Sequence, residues 1–275
     1  MTRSNMKQAA NETFPLIVHM HGFKCAGTTF SASLAANFGQ DFRCVEPSTR
    51  FGKLDWDLVQ SKAVDMGLLA VSSHALKAPQ VISANQVFVH LVREPSSRLL
   101  SAWRFEVGVQ KSFEGPFSTY LTDKGRIKNH QSRFLLPQAK VDNFQPNHEY
   151  GADWDLFKHR SNLFLGVVER YDETMTILEL ILRQKSINVD LSYPDALNQQ
   201  TAERLVADTE IPDDFVNLDR ILYLIANQRL DFYASLFANF NSSLELFRER
   251  CSLFGEHKKG EFRSRVANKN WLYVR

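Results

Sequence analysis

The stretch HMHGFKCAGTTF, residues 19–30, decides how the rest of this chain is interpreted. It overlaps an apolar run, PLIVHMH (15–21), and leads into a segment with an apolar residue at every fourth position as far as Phe38. The first pattern is typical of a buried strand and the second of a helix face. Gly22 and Gly27 permit a tight turn between the two. Because N–H groups at a helix start attract anions, the stretch predicts a phosphate-binding loop.

The lysine of this loop stands in an unusual place. From Gly22 the sequence reads G-x-x-x-x-G-T-T, whereas nucleoside-triphosphate loops read G-x-x-x-x-G-K-[ST]. Thr28 occupies the usual lysine position, and Lys24 lies inside the loop instead. Thr28 and Thr29 add hydroxyl donors to the N–H groups of residues 26–29, and Lys24 can reach a leaving-group oxygen. A glycine turn with a purely structural role is the alternative.

Three further apolar runs predict strands at 68–74 (LLAVSSH), 87–93 (VFVHLVR) and 162–169 (NLFLGVVE). They lack clean alternation, as strands do when both faces of a sheet are covered. Helical patterns follow, one beginning at Pro95 and one spanning 174–184. This alternation predicts an α/β fold with a P-loop-like parallel sheet flanked by helices. Its ligand is expected beyond the carboxyl ends of the strands.

The rest of the chain is expected to belong to the same single domain, 1–275. Residues 1–13 are polar and predict a flexible arm, and 214–254 predict a helical C-terminal part. The irregular region 108–160 is expected to hold acceptor-binding loops. The basic tail, 257–275, is expected to be a solvated end or a cover for an anionic ligand.

Composition narrows the function classes. The chain has 275 residues and a formal net charge of only +2, which gives no general case for nucleic-acid binding. Three scattered cysteines argue against a disulfide framework and favour a reducing compartment. No apolar run approaches the roughly 18 residues of a membrane span. We expect a cytoplasmic protein, or a lumenal domain if an anchor has been removed.

A second polar stretch, VFVHLVREPSSRLLSAW (87–103), predicts another anion site. It places Arg93 at the carboxyl end of a strand, with Ser97 and Ser101 on one face of the next helix. An ion pair of Arg93 with Glu94 or another acid is the structural alternative. Two anion sites on neighbouring strand ends indicate a nucleotide that carries two separated anionic groups.

Together the two stretches resemble the signatures of sulfotransferases that use 3′-phosphoadenosine 5′-phosphosulfate (PAPS). HGFKCAGTTF is similar to that family's histidine–variable–proline–lysine–threonine–glycine–glycine–threonine loop. LVREPSSRLLSAW is similar to its arginine–aspartate–proline signature with a following arginine and serine. The resemblance is nearest to carbohydrate sulfotransferases of the heparan sulfate O-sulfotransferase type. Weaker similarities follow in family order: SSH (72–74), NHQSRFL (129–135), FLGVVERYDET (164–174) and LDFYA (230–234).

The resemblance implies transfer of a sulfuryl group from PAPS to an acceptor hydroxyl, with a carbohydrate or glycoconjugate as the expected acceptor, and without a metal. It implies that the donor is held by Lys24, Cys25, Ala26, Gly27, Thr28, Thr29, Arg93 and Ser101. Lys24 would meet the oxygen that bridges phosphate and sulfate, and His74 would be the general base. Gln131 and Arg133 would contact the nucleotide or the acceptor. The chain departs from the family pattern at Phe23, Cys25, Ala26 and Glu94, and Ala26 would be strained if the loop needs a positive φ there.

Three other functions fit parts of the pattern. A magnesium-dependent ATP phosphotransferase would lack its lysine at position 28 and a strand ending in aspartate. A zinc hydrolase is suggested by His19-x-His21, although further ligands are not evident. A non-catalytic nucleotide-binding protein would keep Arg93 and Ser101 without needing Lys24 and His74 together.

Five residues near these motifs are expected to have no direct part in the chemistry. His90, in mid-strand, is expected to be buried, and His21 to orient the loop. Arg98 is expected at the surface. Glu169 and Arg170 are expected to form an ion pair with each other.

Overall fold

The computed structural model describes residues 16–49, 54–123, 128–136, 141, 162–194, 207–254, 262 and 271–274. Six strands in this part of the chain form one sheet in the order β5-β4-β1-β3-β2-β6, and every neighbouring pair is parallel. The strands are β1 (Leu16–Met20), β2 (Phe42–Pro47), β3 (Ala70–Ser73), β4 (Gln86–Val92), β5 (Leu163–Val167) and β6 (Trp271–Val274). The parallel α/β sheet predicted from the sequence is confirmed.

Helices flank this sheet, and those that follow β1, β4 and β5 begin close to the sequence signals, whereas the two at Trp56–Asp65 and Phe117–Asp123 were not predicted. They are α1 (Gly27–Phe38), α2 (Trp56–Asp65), α3 (Pro95–Phe105), α4 (Phe117–Asp123), α5 (Tyr171–Gln184), α6 (Asn217–Leu236) and α7 (Phe240–Ser252). Gly39 ends α1 with a φ of 53°, a conformation that suits glycine. Pro95 occupies the first turn of α3, where its missing N–H costs no hydrogen bond. The prediction that 214–254 is mostly helical is confirmed.

Two strands were not predicted from the sequence. β2 (FRCVEP) carries an arginine and a glutamate, and β6 (WLYV) lies in the basic tail. In β6, Trp271 and Tyr273 are exposed while Val274 is buried, as expected for an edge strand with one covered side. Residues 271–274 are therefore part of the sheet, and the expectation of a solvated end is wrong for them.

The central strands make the core. Every residue of β4 and β5 is buried, and so are four of the five residues of β1. Gly166 lies where α5 approaches β5, because a Cβ there would come within 2.3 Å of the Thr174 methyl group. The Thr174 hydroxyl in turn donates to the Val167 carbonyl at 3.0 Å. Such close packing fixes the strand ends that carry the candidate site.

The irregular region 108–160 is described only in part. Glu106–Gln110 forms a π-helical turn that continues α3, and α4 follows. Most of the predicted acceptor loops, and the predicted arm at 1–13, lie outside the described residues. Among the helices of the described ranges, none has the length and apolar character required to cross a bilayer.

Candidate active site

Most of the predicted site residues lie just beyond the carboxyl ends of three adjacent strands, whereas Ser101 lies within α3 and Gln131 and Arg133 lie in the segment 128–136. β1 lies between β3 and β4, and Met20 is in register with Ser73 on one side and His90 on the other. The His21 N–H donates to the Ser73 carbonyl at 2.8 Å, which keeps the two chains together past the strand ends. The loop after β1, His74 after β3 and Arg93 after β4 are thereby placed at one edge of the sheet.

The loop after β1 makes two backbone turns into the left-handed region. Lys24 has a φ of 65° and Ala26 a φ of 56°. A left-handed residue other than glycine costs on the order of 1–3 kcal/mol. The strain expected at Ala26 is therefore present. Ala26 precedes α1 and has no side chain that could cap it. Among the described residues, the first N–H groups of α1 therefore remain available to an anion.

Gly27 is required by the ring of His21. A Cβ at Gly27 would lie 2.1 Å from His21 Cδ2, so only glycine lets the loop and the ring approach this closely. The His21 ring stacks on His74 with 4.0 Å between centroids, and on His19 with 5.1 Å. The three imidazoles form a row beside the start of α1.

His74 is the exposed member of this row and has a carboxylate partner. Its Nδ1 lies 2.8 Å from Glu46 Oε1, and its backbone N–H donates to the same oxygen at 2.9 Å. The side chain of His74 is 44% exposed and that of Glu46 only 17%. Glu46 is not predicted from the sequence, because a glutamate at the end of an unpredicted strand gives no signal.

Lys24 is half-buried beside a second cation. Its Nζ lies 4.0 Å from the ring centroid of Phe105. Burial lowers the pKa of Lys24, and the charge of Arg93 lowers it further. The Arg93 guanidinium also donates to the Lys24 carbonyl at 3.4 Å. Two neighbouring cations repel each other, so an anion placed between them relieves an existing cost.

Arg93 and Glu94 have different partners. Arg93 Nε lies 4.0 Å from Glu169 Oε1. Glu94 instead caps α3, where it accepts hydrogen bonds from the N–H groups of Ser96 and Ser97 at 3.0 and 2.7 Å. Burial would raise the pKa of Glu94, but the bonds from Ser97 and Ser96 lower it on balance. The start of α3 is therefore capped by the side chain of Glu94.

Gln131 is buried and connects the loop to β4. Its Oε1 accepts from the Arg93 N–H at 2.7 Å and from the Cys25 thiol at 3.3 Å, and its Nε2 donates to the Arg93 carbonyl at 2.9 Å. Burial raises the pKa of Cys25 to about 12, so this thiol keeps its proton. The Cys25 N–H donates to the Gly22 carbonyl at 3.2 Å. The contacts of Gln131 and Cys25 are internal, and they position Arg93.

The segment that carries Gln131 is held by α6. The buried carboxylate of Asp219 accepts from the N–H groups of Gln131 and Ser132 at 3.1 and 2.8 Å. Arg133 donates from Nε to the Lys128 carbonyl at 2.9 Å and is half-buried. Asp219 was not singled out in the sequence, since nothing in a helical pattern marks one acid as an anchor.

Two expectations about nearby charges are wrong. Arg98 is only 2% exposed, and its charge acts on the buried Asp219. Arg170 pairs with Glu173 at 2.6 Å and with Asp231 at 2.8 Å rather than with Glu169. Arg98 lies on the buried side of α3, and Glu169 and Arg170, although adjacent in sequence, pair with side chains of different elements.

The histidines of the strands themselves are buried. His90 donates from Nδ1 to the Met20 carbonyl at 3.0 Å, and burial lowers its pKa to about 4. This confirms the expectation for His90. His19 Nδ1 lies 2.9 Å from the Ser72 hydroxyl and 3.3 Å from that of Ser31. Within the described ranges, no three His, Cys, Asp or Glu side chains are grouped to hold a metal ion.

Comparison with known proteins adds no assignment. No protein-family model matches the chain, and a search of curated proteins found no significant match.

Proposed function

We propose that the protein is a sulfotransferase that moves a sulfuryl group from PAPS to an acceptor hydroxyl on a carbohydrate or glycoconjugate. The observation that carries the proposal is the convergence of three groups at one sheet edge. These are an uncapped helix start with Lys24 in the preceding loop, the guanidinium of Arg93, and an exposed imidazole, His74. The resemblance of the same stretches to PAPS-dependent enzymes points to the donor.

The donor would be bound through both of its anionic ends. The N–H groups at the start of α1, with the hydroxyls of Thr28 and Thr29, suit the 5′-phosphate. Arg93 and Ser101, which is half-buried in α3, suit the 3′-phosphate. Lys24, held within reach of Arg93, suits the oxygen between phosphate and sulfur.

The proposed reaction is an in-line displacement at sulfur. The acceptor oxygen forms a bond to sulfur while the bond from sulfur to the bridging phosphate oxygen breaks. The electron pair of that bond stays on adenosine 3′,5′-bisphosphate, where Lys24 neutralises the new charge. The acceptor's proton passes to His74, a type of general base typically worth about 10²–10⁴ in rate. Protein cations take the part that magnesium plays in phosphoryl transfer.

Thermal unfolding tests the donor site without knowledge of the acceptor. Adenosine 3′,5′-bisphosphate at a hundred times its Kd stabilises a protein by about 2.7 kcal/mol. For a chain of this size that corresponds to a rise in Tm of roughly 5–10 °C. We expect this rise to survive chelator and to be lost in Arg93→Ala. Arg183→Ala, an exposed arginine of α5, is the matched control and should keep it.

Lys24→Ala separates binding from transfer. The bisphosphate lacks the sulfuryl group, so this variant is expected to retain much of its bisphosphate binding and to lose transfer from PAPS to a saccharide panel. Stabilisation by magnesium ATP but not by the bisphosphate would overturn the proposal in favour of a phosphotransferase. Binding of the bisphosphate without transfer to any hydroxyl acceptor would favour a nucleotide sensor.

A further inference from the structure

The contact between Glu46 and His74 goes beyond what donor binding needs. One carboxylate oxygen accepts from both the backbone N–H and the ring Nδ1 of His74, at 2.9 and 2.8 Å. Because these two donors belong to one residue, the bonds fix the imidazole relative to its own main chain.

We propose that Glu46 is a positioning residue that holds His74 in the tautomer with a proton on Nδ1 and leaves Nε2 as the base. This rests on the proposed function and deepens it. A carboxylate only accepts hydrogen bonds, so the Nδ1 that faces it must donate. The remaining ring nitrogen then carries the free lone pair that removes a proton. Glu46 does not touch the reacting atoms itself.

The ring is confined on its face as well as at its edge. His21 stacks against His74 with a centroid separation of 4.0 Å and an interplanar angle of 26°. His21 is in turn packed against Gly27, at the start of α1. One neighbour therefore limits the tilt of the His74 ring, and Glu46 limits its rotation about the side-chain bonds. Both restraints act on the same imidazole from different strands.

Glu46 depends on the C-terminal strand for its own place. β2 is in register with β3 from Phe42 to Cys44, and with β6 from Cys44 to Pro47. Glu46 is opposite Tyr273 in that second ladder. The Ser48 N–H continues it with a bond to the Val274 carbonyl at 3.0 Å. Residues 271–274 thus support the strand end that orients the base.

The test compares Glu46→Ala with Glu46→Gln in the full chain. Glutamine keeps an oxygen that can accept both bonds, whereas alanine removes it. Nitrogen NMR of the labelled imidazole, assigned with His74→Gln, reports which ring nitrogen carries the proton. We expect His74 to be in the Nδ1–H tautomer in the wild-type protein and in Glu46→Gln. In Glu46→Ala we expect the preference for this tautomer to be lost. Glu173→Ala, which removes a half-buried glutamate of α5, is the control and should leave the His74 signals unchanged.

Kinetics supply the second readout. Carboxylates that orient metal-bound histidines typically contribute about 10–100-fold to activity, and we take the same range for Glu46. We expect kcat of Glu46→Ala to fall by that factor while the Kd for adenosine 3′,5′-bisphosphate stays unchanged, and Glu46→Gln to recover most of kcat. An Nε2–H signal in the original protein, or equal kcat in all variants, would overturn the positioning role. Absence of bisphosphate binding in the original protein would overturn the sulfotransferase proposal instead.

Discussion

Gly27→Ala tests whether the row of imidazoles and the start of α1 form one packed unit. The new methyl group would lie 2.1, 2.4 and 2.7 Å from three atoms of the His21 ring. The nearest atom must move by about 1.3 Å to reach ordinary contact at 3.4 Å. The ring cannot move away freely, because it is stacked between His19 and His74. The substitution therefore displaces either His74 or the loop.

The expected cost is that of inserting a methyl group into a packed site, about 1–3 kcal/mol. For a chain of this length each kcal/mol lowers Tm by roughly 2–4 °C. We also expect weaker binding of adenosine 3′,5′-bisphosphate, because the displaced N–H groups belong to the proposed phosphate cradle. Thermal unfolding with and without the bisphosphate measures both effects in one experiment.

Gly22→Ala is the matched control in the same loop. Its methyl group would meet Cys25 Sγ at 3.2 Å and His90 Cε1 at 3.3 Å, which small shifts can relieve. We expect a clearly smaller loss of stability than for Gly27→Ala. The double variant His21→Ala with Gly27→Ala should be no less stable than His21→Ala alone, since the methyl group then has room. Equal melting of the two glycine variants, or no rescue by His21→Ala, would refute the packing argument.

Two further predictions concern charge. His90 is neutral in the folded protein down to about pH 4, whereas the unfolded chain takes up its proton near pH 6.5, so stability is lost as the pH falls between these values. The loss amounts to about 3 kcal/mol at 1.36 kcal/mol per pKa unit. Urea unfolding at pH 7 and pH 4.5 should show a smaller loss of unfolding free energy in His90→Asn than in the wild-type protein. Asparagine keeps a donor for the Met20 carbonyl but does not titrate. Equal losses in the two proteins would contradict the burial argument. Glu169→Gln should tighten bisphosphate binding severalfold, because Glu169 competes with a phosphate for Arg93. Calorimetry should show this gain shrinking at high salt, and weaker binding would mean that Glu169 orients Arg93 instead.

The sequence predicts what local patterns determine. β1, α1 and α3 are found from apolar periodicity, glycine at a turn and proline at a helix start, because these signals act within a few residues. β2 and β6 are missed because part of what makes each a strand is its pairing with the other, which local sequence patterns do not show. β6 is an edge strand whose polar neighbours hide a four-residue pattern, and it pairs with a strand more than two hundred residues earlier.

The same difference separates the site residues that were found from those that were missed. Lys24 and Arg93 stand within recognisable motifs, so their placement at one edge follows from strand order. Glu46 and Asp219 were missed, and they act on His74 and on the segment that carries Gln131 through hydrogen bonds across 28 and 88 residues of sequence. Sequence spacing contains no record of such bonds, since many folds would leave these side chains apart.

The internal bonds also explain how the loop accommodates its departures from the sulfotransferase pattern. Ala26 takes a left-handed conformation that a glycine would adopt at no cost, so other contacts must hold it there. The adjacent Cys25 is anchored twice, by its thiol to Gln131 and by its N–H to the Gly22 carbonyl. Because Gln131 also holds both backbone groups of Arg93, the loop and Arg93 share one support. These hydrogen bonds are present without a ligand. They can therefore hold Ala26 in the left-handed conformation that a glycine would adopt without strain.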